Sequence, residues 1–175
     1  RSKDFRPVTS TPLWQYAATD LSALIQSGEV SATEAVRASV ERMHAVNPAL
    51  NAVVTDLSDS ALQRARALDA AKGPKGPLHG VPITIKINID QKGEASSNGV
   101  VAFKDLVAPG DAPLVKNLLD AGAVVIGRTN VPEFSRRCDT ASLRASRSPD
   151  ASWRAALLIS AFDVPMTIGS AIAVT

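Results

Sequence analysis

From Val81 to Ile89 the chain alternates: Ile83, Ile85, Ile87 and Ile89 are separated by Thr84, Lys86 and Asn88. A period of two in β-branched residues is the pattern of a strand. Further on, Ala123-Val124-Val125-Ile126 is a continuous apolar run, the form taken by strands buried on both faces. Between them, Ala112–Asp120 sets Leu114, Val115, Leu118 and Leu119 on one helical face. Asp111 stands where it can cap that helix, Pro113 lies in its first turn, and Gly122 follows its end. Strand, helix and strand in this order predict a βαβ crossover, and with it an α/β fold.

The residues before this unit predict helices. Thr19 caps Asp20–Ser27, with Leu21, Leu24 and Ile25 on one face and Gly28 as the stop. Ser31-Ala32-Thr33-Glu34 is a capping box opening a helix to about Val46, where Asn47-Pro48 ends it. Ala52–Thr55 is a short strand candidate. An alanine-rich helix from Ser58 to Ala71 stops at Lys72-Gly73-Pro74-Lys75-Gly76-Pro77. Gly93 to Gly99 reads as a polar turn region. Beyond Ser135 periodicity fails, apart from an apolar run at Ala155–Phe162 and a possible strand within Val164–Thr175.

Composition marks the same boundary. Of the net charge of +2 over 175 residues, all lies in residues 135–175, which hold five Arg, three Asp and neither Lys nor Glu. Nine of the ten glycines precede position 135. A single cysteine excludes an internal disulfide framework and every multi-cysteine zinc pattern. No apolar run reaches the roughly 20 residues of a membrane span, and Arg1–Arg6 is followed by no secretory leader, so a cytoplasmic location is expected. Aromatic content of 4% and the lack of a basic cluster argue against a nucleic-acid surface.

Most site chemistries are absent from the sequence. It has no H-E-x-x-H, no G-x-x-x-x-G-K-[ST], no G-x-G-x-x-G and no G-x-S-x-G. The glycines at 73, 76 and 80 precede a strand rather than a helix N-terminus, so they form no phosphate cradle. His44 and His79 read as structural or solvated. No metal and no cofactor are expected. Lys86 stands apart, in the middle of the isoleucine-rich strand. If both faces of that strand are covered, desolvation favours its neutral amine, a competent general base. The alternation equally describes a half-exposed strand with Lys86 in water, and pattern alone favours that second reading.

The motifs around Lys86 add a further signal. Gly76-Pro77-Leu78-His79-Gly80-Val81-Pro82-Ile83-Thr84-Ile85-Lys86 is followed by Ala112-Pro113-Leu114-Val115. Ala121-Gly122-Ala123-Val124-Val125-Ile126-Gly127-Arg128-Thr129-Asn130-Val131-Pro132-Glu133-Phe134 comes next. In order and spacing these segments resemble the N-terminal part of the amidase signature family, from about Thr19 to Thr140. The resemblance implies a hydrolase of carboxylic amides without metal or cofactor. Its nucleophilic serine passes a proton through a second, cis-linked serine to a neutral lysine, and glycine-rich backbone N–H groups hold the oxyanion. Lys86 falls on the family's lysine.

The other two members have no counterpart. The family's Gly-Gly-Ser-Ser-Gly-Gly loop would fall near residue 161, where this chain has Trp153-Arg154-Ala155-Ala156-Leu157-Leu158-Ile159-Ser160, without glycine. Such a loop needs glycine for φ > 0 and for close approach of backbone to substrate. Ser160 in an apolar run is no substitute, and the nucleophile would fall beyond Thr175. Val164–Ile172 resembles the segment leading into the nucleophile but supplies no Gly-Gly-Ser. Ser96 and Ser97 read as turn residues. Ser135 is a poor nucleophile candidate, and Cys138 stands where the family often has an aromatic residue. Gain of Arg with loss of Gly from about Ala141 is what a shifted reading frame through a GC-rich glycine-serine stretch would give, and the coding DNA tests it.

The expected fold is α/β, an incomplete amidase-signature-like mixed sheet behind an N-terminal helical layer. Residues 1–140 would be the N-terminal part of that domain and 141–175 a divergent or disordered tail. The expected function is an amidase-type hydrolase by descent, truncated and inactive as this chain. The alternative is a non-catalytic fragment that acts, if at all, by binding a partner. The expected partners are a small amide substrate and further copies of the chain through exposed sheet edges, with neither nucleic acid nor membrane.

Overall fold

The computed structural model describes residues 11–135 and 172–174. The order of its elements is α1 (Ala18–Ser27), α2 (Ala32–Leu50), β1 (Val53–Asp56), α3 (Ser58–Ala70), β2 (Pro82–Lys86), α4 (Pro113–Asp120), β3 (Val124–Thr129) and β4 (Ile172–Val174), with short 3₁₀ turns at Leu13–Gln15, Val101–Phe103 and Glu133–Ser135. The sheet runs β1-β3-β2-β4. The crossover through α4 makes β2 and β3 parallel, while β1 on β3 and β4 on β2 are antiparallel. β4 falls inside the possible strand at Val164–Thr175. The expected disorder of the tail otherwise lies outside the described residues.

Both faces of the two central strands are covered. α2 and α3 bring Ala32, Val36, Val40, Met43, Ala61 and Ala65 against Val124 and Ile126. Val125, pointing the other way, joins Ile83, Ile85, Ala123 and Val115 of α4. All six residues of β3 are buried, as are the first four of β2. Each Val or Ile removed from water in this way contributes about 1.5–3 kcal/mol. A half-exposed β2 is therefore corrected: Thr84, expected in water, is only 4% exposed.

Several boundaries differ from expectation. α1 begins at Ala18 with Ala17 as an N-cap that makes no side-chain bond, so Thr19 is a helical residue and not the cap. α2 runs through Pro48 to Leu50, because Asn47 holds the exit: its side chain accepts from the N–H groups of Ala52 and Val53 and donates to the Val53 carbonyl. α4 starts after Ala112, and Asp111 accepts instead from the Lys92 N–H at 2.8 Å. The strand expected to reach Ile89 ends at Lys86, and the cause lies in the candidate site.

The capping box at Ser31 is present in both directions. A second acceptor set comes from the far end of α3, where Asp69 takes the N–H groups of Ala32 and Thr33 at 2.8 and 2.9 Å. Gly80, at φ +76, lets the turn before β2 lie on α2, since a Cβ there would stand 2.4 Å from that of Ala32.

Candidate active site

Lys86 is the last residue of β2 and is half-buried, beyond four residues that are buried. Its register partner on β3 is Thr129, itself buried. The carboxyl ends of β2 and β3 thus lie side by side, the end of an open α/β sheet at which ligands ordinarily bind. One more ladder bond follows, from the Ile87 N–H to the Thr129 carbonyl at 2.9 Å. Then the chain turns, and the Ile89 N–H donates to the Lys86 carbonyl at 3.0 Å.

Arg128 on β3 closes this turn. It has no solvent exposure, and its guanidinium donates to the carbonyls of Ile89 at 2.7 Å, Lys86 at 3.4 Å and Ala95. Burial pushes its pKa down, while the charges of Glu94 and Asp90 pull it back up. The group stays cationic, as arginine does in proteins. Sequence reasoning gave Arg128 no role, although a charged residue two positions after the apolar run Ala123–Ile126 was a visible signal.

Beside the turn, several residues hold left-handed backbone without being glycine. Asn98, Phe134 and Ser135 have φ of 52°, 48° and 55°, and Gly99, packed on the backbone of Val131–Glu133, has φ 72°. The Phe134 N–H donates to the Asn98 carbonyl at 2.9 Å, and the Asn88 amide donates to the Ser135 hydroxyl at 2.9 Å. Such conformations cost on the order of 1–3 kcal/mol each and collect where a binding surface needs them. Phe134 is half exposed and meets Phe103 edge to face, with centroids 6.2 Å apart.

The serines noted in the sequence take different places. Ser96 is buried, its N–H bonded to the Leu106 carbonyl and its hydroxyl without a partner among the described residues. The Ser97 carbonyl accepts from the Val100 N–H, so it builds a turn as expected. Ser135 is brought to Asn88, two residues past Lys86. Among the described residues, no serine hydroxyl bonds the Lys86 amine. Cys138, Ser160 and Val164–Ala171 lie outside the described residues.

One cluster has triad composition without triad geometry. His44 Nε2 meets Asp56 Oδ2 at 2.7 Å and Ser58 Oγ at 3.1 Å, so both partners crowd one ring nitrogen. A relay needs the carboxylate on one nitrogen and the hydroxyl on the other. Asp56 instead accepts from both the N–H and the hydroxyl of Ser58, fastening the start of α3. Burial raises the Asp56 pKa, but the hydrogen bonds from Ser58 and His44 outweigh it and hold the carboxyl below its ordinary value. His79 is buried in the turn before β2, where Gly122 packs on its backbone. Of the two histidines read from the sequence as structural or solvated, His79 is buried and His44 is half exposed beside Asp56. No group of three His, Cys, Asp or Glu among the described residues could hold a metal ion.

Residues 34–149 match the Amidase family, and the chain belongs to it. It is 58% identical over 129 residues to the indoleacetamide hydrolase of Bradyrhizobium diazoefficiens, a match covering 72% of this chain and 25% of that protein. It is 36% identical over 166 residues to a glutamyl-tRNA(Gln) amidotransferase subunit from Acidothermus cellulolyticus, over 87% of this chain and 33% of that one. Among solved structures, the native peptide amidase of Stenotrophomonas maltophilia aligns with a TM-score of 0.64 at 37% identity, over 70% of this chain and 26% of that chain. The chain thus spans a quarter to a third of the length of these curated relatives.

Proposed function

We propose that these 175 residues supply the N-terminal part of a carboxamide hydrolase, with Lys86 as its general base. The observation that carries this is the position of Lys86: half-buried at the carboxyl end of a strand covered on both faces. That end of an α/β sheet is where ligands ordinarily bind, and two hydrogen bonds to the Lys86 carbonyl fix the backbone there. In the reaction, a serine oxygen attacks the amide carbon while its proton moves through a second serine hydroxyl to the unprotonated Lys86 amine. Return of that proton to the departing nitrogen breaks the C–N bond, and water then releases the acid from the acyl-serine.

The stretch near residue 161 offers no glycine-rich serine loop, and we read the 175 residues taken alone as inert toward amides. We take residues 1–140 as the part of the hydrolase domain and 141–175 as a divergent tail. No helix among the described residues is long and apolar enough to cross a membrane. β1 bonds only to β3, and β4 only to β2, among the described strands. Such edges favour pairing with further copies of the chain, and light scattering across a dilution series tests that.

The deciding experiment has two parts. Pure chain is assayed on a panel of simple carboxamides beside Lys86→Ala, with no turnover expected. Turnover that Lys86→Ala abolishes would overturn the inert reading. Residues 1–135 are then grafted in place of the matching segment of the Bradyrhizobium indoleacetamide hydrolase. The graft is expected to hydrolyse indoleacetamide, and Lys86→Ala within it to lose about 10²–10⁴-fold in kcat. Full activity in that variant would remove Lys86 from the chemistry.

A further inference from the structure

We propose that Arg128 is the positioning residue for Lys86: its guanidinium ends β2 by gripping the carbonyls that follow the strand, and so fixes where the lysine side chain leaves the sheet. The proposal deepens the reading of Lys86 as the base, and its test reads the geometry of Lys86 rather than turnover.

A buried guanidinium gives up most of its hydration, and an apolar residue of similar volume usually serves stability at least as well. Among the described residues, Arg128 faces this cost with no carboxylate in hydrogen-bonding contact. Its acceptors are three backbone carbonyls, those of Lys86, Ile89 and Ala95, and its Nε has no partner among the described residues. All three acceptors lie at or after the end of β2, in the stretch from Lys86 to Ala95. The sequence alternation would carry β2 on to Ile89. Instead the Lys86 carbonyl is taken by the Ile89 N–H and by Arg128 Nη2, which turns the chain directly after the lysine. A planar fork reaches several carbonyls in fixed directions, and an ammonium does not.

Arg64 is the internal contrast. It too grips carbonyls, those of Ala123 at 3.2 Å and Leu119 at 2.8 Å, where α4 passes into β3. That end of β3 is remote in the sheet from Lys86, which pairs with Thr129 at the other end. Arg64 therefore supports the fold without addressing the lysine.

The test uses the full chain as Arg128→Met, Arg128→Lys and Arg64→Met. Acetylation of Lys86 by a limiting amine reagent is read by mass spectrometry against Lys116 in the same molecule, together with amide hydrogen exchange. In Arg128→Met, exchange at Ile87, Ile89 and Ser96 is expected to quicken at least about tenfold, the loss of hydrogen bonds to a charged group, with α2 unchanged. The Lys86:Lys116 ratio is expected to move at least about threefold, a change in local opening. Arg128→Lys is expected to behave like Arg128→Met, and added methylguanidinium to restore the ratio in Arg128→Met. Arg64→Met is expected to lower Tm and leave the ratio alone. An unchanged ratio in Arg128→Met, or an equal change in Arg64→Met, overturns the proposal. If Arg128→Met loses protection in α2 as well, Arg128→Lys decides. Loss throughout that variant too makes Arg128 a general stability residue and ends the proposal.

Discussion

The helical layer and the turn after Lys86 solve the same problem by different means. Both must find partners for backbone groups that no helix or strand ladder satisfies. In the helical layer most partners are near in sequence. Ser31 and Glu34 close the start of α2 between themselves, and Asn47 serves Ala52 and Val53. After Lys86 the decisive partner is Arg128, 33 to 42 residues away from the carbonyls it holds. Local closure makes an element that forms almost wherever the chain places it. Distant closure makes a shape that exists only once β3 has docked, and the candidate base sits on that second kind.

The strongest way to break the comparison is to remove what the two regions share. Ile126 is fully buried on β3, facing α2 and α3, two residues before Arg128. Ile126→Ala is expected to cost about 2–5 kcal/mol, read as a lower urea midpoint with an unchanged slope. Because one strand serves both regions, exchange is expected to quicken in α2 and around Ile89 together. Loss confined to either region would show that they are separately stable.

Substitutions within each region sharpen the contrast. Gly99 stands at φ +72 with the Val131 carbonyl 2.6 Å from where a Cβ would lie. Gly99→Ala is expected to cost about 1–3 kcal/mol, with faster exchange at Phe134, whose N–H bonds the neighbouring Asn98 carbonyl. Ser31→Ala removes the near half of the capping box and is expected to cost about 1 kcal/mol. Asp69 continues to hold the Ala32 and Thr33 N–H groups, so fraying should stay within the first turn of α2. Equal, molecule-wide effects from both substitutions would erase the distinction between local and distant closure.

The same distinction decides what was legible in the sequence. The capping box at Ser31, the stop at Gly28 and the crossover through α4 follow from residues a few positions apart, and all are present. The family resemblance was legible in motif order around Lys86, and it holds. The end of β2 was not legible, because alternation through Ile89 states a local preference and Arg128 overrides it from another strand. The burial of Thr84 escaped for a related reason: alternation reports one strand's faces, and a covering helix is supplied from elsewhere. Nothing in the residues next to Asp69 marks it as a partner for the start of α2. Only the packing of α3 beside α2 turns it into a cap. The left-handed pair at Phe134 and Ser135 has no composition cue at all, since neither residue favours that region.

The smallest expected effect lies at the join between the helical layer and the sheet. Asp56 ends β1 and fastens Ser58 at the start of α3, and its folded pKa is held below the unfolded one. A carboxyl depressed on folding stabilises the native state above its unfolded pKa, and that contribution fades as pH falls through the folded value. The wild-type chain should therefore lose Tm as the pH falls below the ordinary carboxylate pKa of 3.8. Asp56→Asn should be slightly less stable at neutral pH, with a shallower loss through the same window. With the Asp56 side chain half exposed, solvent screening keeps the difference small. Identical acid limbs in the two proteins would mean that the Ser58 amide and hydroxyl, rather than the charge they face, set the start of α3. The join would then be local closure of the same kind as the box at Ser31, with no electrostatic part.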